Sequence, residues 1–314
     1  MSDPTMRRRR WPAGFAILWW TVAVDMIGFG MVIPLLPLYS HRYGAGATAI
    51  GGLVASFSLA QLVAAPLWGR LSDRIGRRPV IIVSLAGSAL GALLTGLAGG
   101  LALLFVGRLV DGASGGSVGA AQAAAADMTS SPTERAAMMG MLGAAFGVGF
   151  VVGPAIGGLA AVAGPRVPFF VAAGLSAVNA GFAVTRLRGL PGGSAAGVAG
   201  SAGSAPPEAD DDALAGLVRP PKALLVRVAA VTFVSVAAFS AFEATFSLFG
   251  NRRLGLALSS TGAVFAGVGL VIVAVQGGLI RPVVRAVGET GALRAGLLLN
   301  AAGMGVLVVT HGYG

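Results

Sequence analysis

Cysteine is absent from the 314 residues, histidine occurs only at His41 and His311, lysine only at Lys222, and charged residues of every kind make up 11%. Without cysteine there is no disulfide framework and no thiol nucleophile, and two histidines cannot furnish the Cys/His clusters that hold zinc. The same absence leaves the redox compartment unread. No Gly-x-x-x-x-Gly-Lys-Ser/Thr loop is present to cradle a nucleotide, and no His-Glu-x-x-His pair to hold a catalytic zinc. The chain is therefore expected to be no enzyme, to bind no nucleotide and to carry no metal or other cofactor. Soluble domains are charged at roughly a quarter of their residues. With less than half of that supply, a water-facing surface cannot be built.

What is present is apolar. Hydrophobic residues make up 55%, with 50 glycines and a mean hydropathy of +0.83. They fall in runs of about 18 to 25 residues, the length a helix needs to cross roughly 30 Å of hydrocarbon. Nine runs stand out, at residues 12–38, 48–68, 79–97, 101–126, 136–163, 167–185, 223–249, 259–280 and 292–310. The fold expected is all-α, a polytopic membrane protein with the bilayer as its first partner.

Arg7 to Arg10 precede the first run, which is too long for a signal-peptide core, carries Asp25, Pro34 and Pro37, and ends without a small-x-small cleavage site. It reads as an uncleaved first helix. Threading the chain through the nine runs divides Lys and Arg 17 to four between the two sides, with Arg108 inside a run. The net charge of +10 is thus a topology signal and not the mark of a nucleic-acid partner. It places the N-terminus in the cytoplasm, in an inner or plasma membrane.

Residues 187–221 are rich in Gly, Ala, Ser and Pro, with acids at Glu208 and Asp210 to Asp212. Such a composition cannot bury a core. The expected organisation is a six-helix bundle over 1–186, a flexible cytoplasmic linker over 187–221, and about three further helices over 222–314. A faint repeat supports this division: Arg70-Leu71-Ser72-Asp73-Arg74-Ile75-Gly76 after the second run is echoed by Pro282-Val283-Val284-Arg285-Ala286-Val287-Gly288 after the eighth. Both are basic and end in glycine, as duplicated halves would.

The most specific motif is Gly69-Arg70-Leu71-Ser72-Asp73-Arg74-Ile75-Gly76-Arg77-Arg78, read as a short cytoplasmic loop between the second and third spans. Its glycines permit a tight turn, and Asp73 can pair with an arginine or cap a neighbouring helix. This order resembles the signature of the major facilitator superfamily. Three further motifs narrow the resemblance to its drug:proton antiporters, including the tetracycline exporters. They are Asp25-Met26-Ile27-Gly28 with Pro34-Leu35-Leu36-Pro37, Gly107-Arg108-Leu109-Val110-Asp111-Gly112, and Gly149-Phe150-Val151-Val152-Gly153-Pro154-Ala155-Ile156-Gly157-Gly158. In the last, glycines four apart leave a helix face bare for close packing, and Pro154 removes a ladder hydrogen bond. The resemblance implies that this helix seals the substrate cavity from the far side. It also implies a pairing of Asp127 with the Arg77 region that forms when the cytoplasmic side is closed, with Gly69, Asp73, Arg74, Gly76, Arg77 and Arg78 as the gating segment.

Ionisable groups within spans are costly and so mark function. Arg108 and Asp111 stand three apart on one helix face, where they either neutralise each other or take part in proton coupling. Asp25 lies near the middle of the first run, as a proton-linked or substrate-contacting acid or as one fixed by a hydrogen bond. Glu243, flanked by Phe242 and Phe246, attracts a cationic compound or sits at the rim in headgroup water.

The resemblance implies a secondary active transporter that exports small amphipathic compounds or drugs in exchange for protons by alternating access, driven by the proton gradient. Asp25, Arg108, Asp111 and Glu243 do not specify the substrate, so a nutrient or metabolite symporter or uniporter of the same fold stays open. So does a truncated, non-transporting membrane protein, because two equal halves and a linker would run to roughly 390–410 residues. On that count the chain is expected to lack about three helices of the second half.

Overall fold

Each of the nine apolar runs holds helix in a computed structural model of the chain, which describes residues 14–129, 132–187, 222–275 and 280–309. In chain order the helices are α1 (Phe15–Val32), α2 (Leu36–His41), α3 (Ala47–Ile75), α4 (Arg77–Leu97), α5 (Leu101–Ala113), α6 (Ser117–Asp127), α7 (Pro132–Val162), α8 (Val167–Arg186), α9 (Lys222–Leu254), α10 (Leu258–Ala274) and α11 (Ile280–Val309). No strand occurs among the described residues. Among the described residues six segments, from Phe15–His41 to Val167–Arg186, are long and apolar enough to cross a membrane, and the protein is a polytopic all-α membrane protein. Arg7 to Arg10 and all but the first residue of the 187–221 stretch lie outside the described residues.

Two runs and one connecting segment differ in detail from the expectation. The first is interrupted at residues 33–35, between α1 and α2, where Pro34 and Pro37 withhold backbone donors. The fourth is not one helix: it breaks at Ser114, Gly115 and Gly116 into α5 and α6. The segment 69–78 is hardly a loop, because α3 runs on to Ile75 and α4 begins at Arg77. Gly76 alone makes the turn, with φ 94° and ψ 163°, a conformation open essentially to glycine. Gly288 takes φ 72° and ψ 169° inside α11. The echo seen in the sequence is therefore an echo of backbone as well, one glycine joining two helices in each case.

Two apolar cores fill the first eight helices. One gathers Leu18, Val22, Ile81, Leu85, Ala121 and Leu142; the other gathers Met31, Leu36, Tyr39, Leu53, Leu104 and Phe169. Between them runs a layer of buried polar side chains that includes Asp25, Arg108, Ser117, Ser176 and Asn179. α1 packs on α7 and α8, α4 on α5 and α8, and α3 on α5, while α10 lies along α7.

The approach of α1 to α7 is set by glycine. A Cβ on Gly153 would lie 2.7 Å from the Ile27 carbonyl oxygen and 2.9 Å from Gly30, and one on Gly157 would lie 3.1 Å from the Met31 carbonyl oxygen. Gly149 faces the backbone of Met26 in the same way. Gly143 has nothing within 4 Å of its Cβ position, so the close-packed stripe does not extend that far. α7 continues through Pro154 to Val162, and Gly158 is buried.

The fourth-run break leaves polar backbone that other helices must satisfy. The Trp68 indole N–H donates to the Ala113 carbonyl oxygen at 2.6 Å, and the Gly116 N–H donates to Ser84 Oγ at 3.1 Å.

Two outcomes follow for thermal unfolding of the purified protein in detergent. Gly153→Val, which overpacks a backbone contact, destabilises by about 1–3 kcal/mol, while Gly143→Ala leaves the transition unchanged. Trp68→Phe keeps the ring but removes the donor, and costs about 1–3 kcal/mol for the stranded carbonyl.

Candidate functional site

The interrupted fourth span brings polar groups to the middle of the bundle. Ser117 is the first residue of α6, and its hydroxyl donates to Asp25 Oδ2 at 2.5 Å. Asp25 is only 8% exposed, and the start of α6 presents the positive end of the helix dipole beside its carboxylate. On the neighbouring helix Asn179 Nδ2 donates to the Thr21 carbonyl oxygen at 2.8 Å, tying α8 to α1 one turn from Asp25.

Arg108 and Asp111 form the expected pair on α5, with Nη1 to Oδ2 at 2.9 Å. Arg108 is 3% exposed, and its guanidinium stacks over the Phe57 ring at 4.3 Å from the centroid. Its Nε is buried without a hydrogen-bond partner. Ser88 of α4 lines the same cavity as Asp111. α5 approaches α3 closely here, because a Cβ on Gly112 would overlap the Phe57 carbonyl oxygen and lie 2.9 Å from the Phe57 Cα.

A cavity of about 210 Å³ opens between these groups, lined by Asp25, Asp111, Ser117, Ser88, Ser176 and Gln61 with Phe29, Phe57 and Phe146. A second, of about 150 Å³, shares Phe29, Phe57 and Gln61 and is closed by Arg108 and by Ser240 of α9. Apolar and aromatic walls with a few converging polar groups are the composition of a small-molecule site.

One end of the bundle holds a second cluster. Arg77 donates through Nε to Asp127 Oδ2 at 3.0 Å, and through Nη1 to Asp73 Oδ1 at 2.6 Å and Ser72 Oγ at 3.1 Å. α3, α4 and α6 are thereby joined at a single guanidinium. Asp73 thus pairs with arginine, and the α4 N-terminus has no side-chain cap. Arg78 donates to the Val184 carbonyl oxygen at 2.6 Å, linking α4 to α8, while Gly69 and Arg74 are exposed.

At the opposite end the Tyr43 hydroxyl donates to the Ala98 carbonyl oxygen at 2.6 Å, with Arg166 Nη2 3.3 Å from the same oxygen. Burial acts to raise the Tyr43 phenol, but hydrogen bonds with Tyr39 and Arg166 and the charges of Arg166 and Arg42 outweigh it and hold the group below its ordinary value.

Of the residues expected from the sequence, Asp25, Arg108 and Asp111 come together at the cavities. Asp73, Gly76, Arg77, Arg78 and Asp127 meet at one end, and Gly149, Gly153 and Gly157 press on α1. Glu243 belongs to α9, and its side chain lies outside the described residues. Sequence reasoning missed Ser117, Ser84, Ser88, Trp68, Ser72 and Asn179. Their signal was weak, small hydroxyls, one amide and one indole, and Ser114-Gly115-Gly116 inside a span reads equally as small-residue packing or as a helix break. Gly112 to Gly116 also spell Gly-x-Ser-x-Gly, the order of a hydrolase elbow. Here they join two helices, and the Ser114 hydroxyl is committed to the Val110 carbonyl oxygen at 2.7 Å.

The chain is similar to known proteins. The chain is 43% identical over 157 residues, 49% of its length, to the class D tetracycline resistance protein of Salmonella ordonez, of which the match spans 40%. It is 28% identical over 300 residues, 95% of its length, to Multidrug resistance protein 2 of Bacillus subtilis (strain 168), of which the match spans 74%. The crystal structure of the human organic anion transporter MFSD10 superposes with a TM-score of 0.62 at 26% identity, covering 86% of this chain and 72% of that one. The nucleoside transporter NupG shares the fold, with a TM-score of 0.60 at 13% identity over 89% of this chain and 69% of that one. A match to the Major Facilitator Superfamily runs from residue 18 to residue 313, through every element that builds the cavities and both ends of the bundle, and the chain belongs to that family.

Proposed function

We propose that the chain acts in proton-coupled export of small amphipathic compounds by alternating access across a cell membrane, with its N-terminus in the cytoplasm. The observation that carries this reading is the buried site in which Asp25, Ser117 and Asp111 line a 210 Å³ cavity, with Arg108 paired to Asp111. An acid held in such a site can bind a proton or the cationic group of a substrate, and competition between the two is the simplest exchange cycle. Phe29, Phe57 and Phe146 supply an apolar wall of low specificity. The cluster of Arg77, Asp73 and Asp127 holds one end closed, and the glycine contacts of α7 with α1 hold the seal beside the cavity. The relatives named for tetracycline and multidrug resistance make tetracycline the first compound to try.

A second reading, a carrier of organic anions in the same fold, is favoured by the partnerless Nε of Arg108, which lines the 150 Å³ cavity beside Phe29, Phe57 and Gln61.

In everted vesicles carrying the protein and an imposed pH gradient, adding tetracycline dissipates the gradient, and Asp25→Asn slows that flux at least about tenfold, as loss of a positioned proton carrier does. A gradient untouched by tetracycline, with flux on adding an anionic dye such as fluorescein, moves the assignment to the second reading.

A further inference from the structure

We propose that α6 is a strut that ties Asp25 to the Arg77 cluster, with Ser117 as the positioning residue through which the tie is made. The inference rests on the reading of Asp25 as the cavity acid.

α6 has a polar anchor at each end and almost none between. Its first residue, Ser117, donates to Asp25 at 2.5 Å, and its last, Asp127, accepts from Arg77 at 3.0 Å. Ten steps of helix at 1.5 Å put the anchors roughly 15 Å apart. The buried face between them is alanine, Ala120 and Ala124 on one row and Ala121 and Ala125 on the next. Such a face has no long side chains to interlock with its neighbours, so the two end anchors, with the Gly116 N–H bond to Ser84, define the setting of the helix.

The strut is also separated from the rest of its span. The Trp68 indole holds the Ala113 carbonyl on the α5 side of the break, and Ser84 holds the Gly116 N–H on the α6 side. Gly115 and Gly116 have ordinary backbone angles there and are needed for room: a Cβ on Gly116 would lie 2.6 Å from Trp68 Cγ, and one on Gly115 2.6 Å from Gln61 Nε2. α5 is held against α3 by the Arg108 guanidinium over Phe57, and the break at residues 114–116 separates it from α6. Asp111 and Arg108 are the other ionisable groups at the cavity, and both belong to α5, across the break.

A hydroxyl bonded to a charged carboxylate makes a bond about twice as strong as one to a neutral acid. Neutralising Asp25 therefore weakens the upper anchor, and the helix that releases Ser117 also carries Asp127. Reciprocity requires that loosening Asp127 be felt at Asp25.

The test uses the absence of native cysteine. Ala123, on α6, lines a cavity of about 310 Å³ beside Asp73 and Arg77, so Ala123→Cys gives a single thiol that reports how open that end is. In nanodiscs, which expose both faces, the rate of maleimide labelling is compared between this background and added Asp127→Asn, Ser117→Ala, Ser117→Thr and Asp25→Asn. Ser117→Ala and Asp25→Asn should each raise the rate about fivefold, the low end of allosteric coupling. Combined, they should raise it no further than either alone, and Ser117→Thr should restore the starting rate. The strut is overturned if Asp127→Asn opens the site while Ser117→Ala and Asp25→Asn do not, or if the latter two add. Should Asp25→Asn unfold early by thermal scan, Ser117→Ala against Ser117→Thr decides alone. Tetracycline-driven proton flux is read separately. Coupling without flux keeps the strut and removes the transport reading, and flux with an uncoupled Ser117→Ala does the reverse.

Discussion

A backbone N–H or C=O in hydrocarbon has no water to turn to, and leaving one unbonded costs several kcal/mol in order of magnitude. The middle of the fourth span is where this chain meets that constraint most severely. Interrupting a helix there leaves the Ala113 carbonyl and the Gly116 N–H to be satisfied: Trp68 on α3 takes the carbonyl, and Ser84 on α4 shares the N–H with the Ser114 carbonyl oxygen. Two helices are thereby committed to the register of a third. Once the break is held, Ser117 becomes a helix N-terminus instead of a mid-helix residue, and its hydroxyl is free to meet Asp25. The cavity and the acid that lines it are consequences of that one irregularity.

Placing Asp25 correctly demands as much of α1 as of α6. The depth of α1 is set by direct backbone contact with α7 at Gly149, Gly153 and Gly157, and its rotation by the Asn179 bond to the Thr21 carbonyl. Contacts of backbone on backbone have little compliance, since no side chain is present to change rotamer. The acid therefore sits on a rigid element and faces a hydroxyl on a short, smooth-faced one. Any change in the charge of Asp25 is more readily expressed as movement of α6 than of α1.

Hydropathy and charge made the six spans of the first half, the charged character of segment 69–78 and the Arg108–Asp111 pair legible, because each is a local property of sequence. Glycines four apart pointed to a helix packed backbone to backbone, though they could not name α1 as the neighbour or exclude Gly143. The break at residues 114–116 stayed hidden for a physical reason: Ser and Gly in an apolar run read equally as small-residue packing, and what selects a break is the supply of donors and acceptors from Trp68 and Ser84, 46 and 30 residues away from Ser114 in sequence. The helical course of residues 69–75 was missed for the opposite reason. Arginines and an aspartate look like loop, yet beyond the hydrocarbon a charged helix is fully solvated, and Asp73 and Arg77 support each other across Gly76.

The two arginine–aspartate groups of the bundle are suited to different work by their surroundings. Arg77 is bonded to carboxylates that are 68% and 36% exposed at Asp73 and Asp127, so water replaces either bond at a cost of about 1 kcal/mol or less. A contact of that kind can open and close within a working cycle. The side chains of Arg108 and Asp111 are 4% and 16% exposed, and separating them would strand a charge in the bundle at a cost on the order of 3–5 kcal/mol. They are bound to move together, or to stay, and both lie on α5, which the break isolates from α6. Solvent exposure thus divides the fourth span into a half that carries an ion pair too costly to break and a half whose outer anchor is cheap to release.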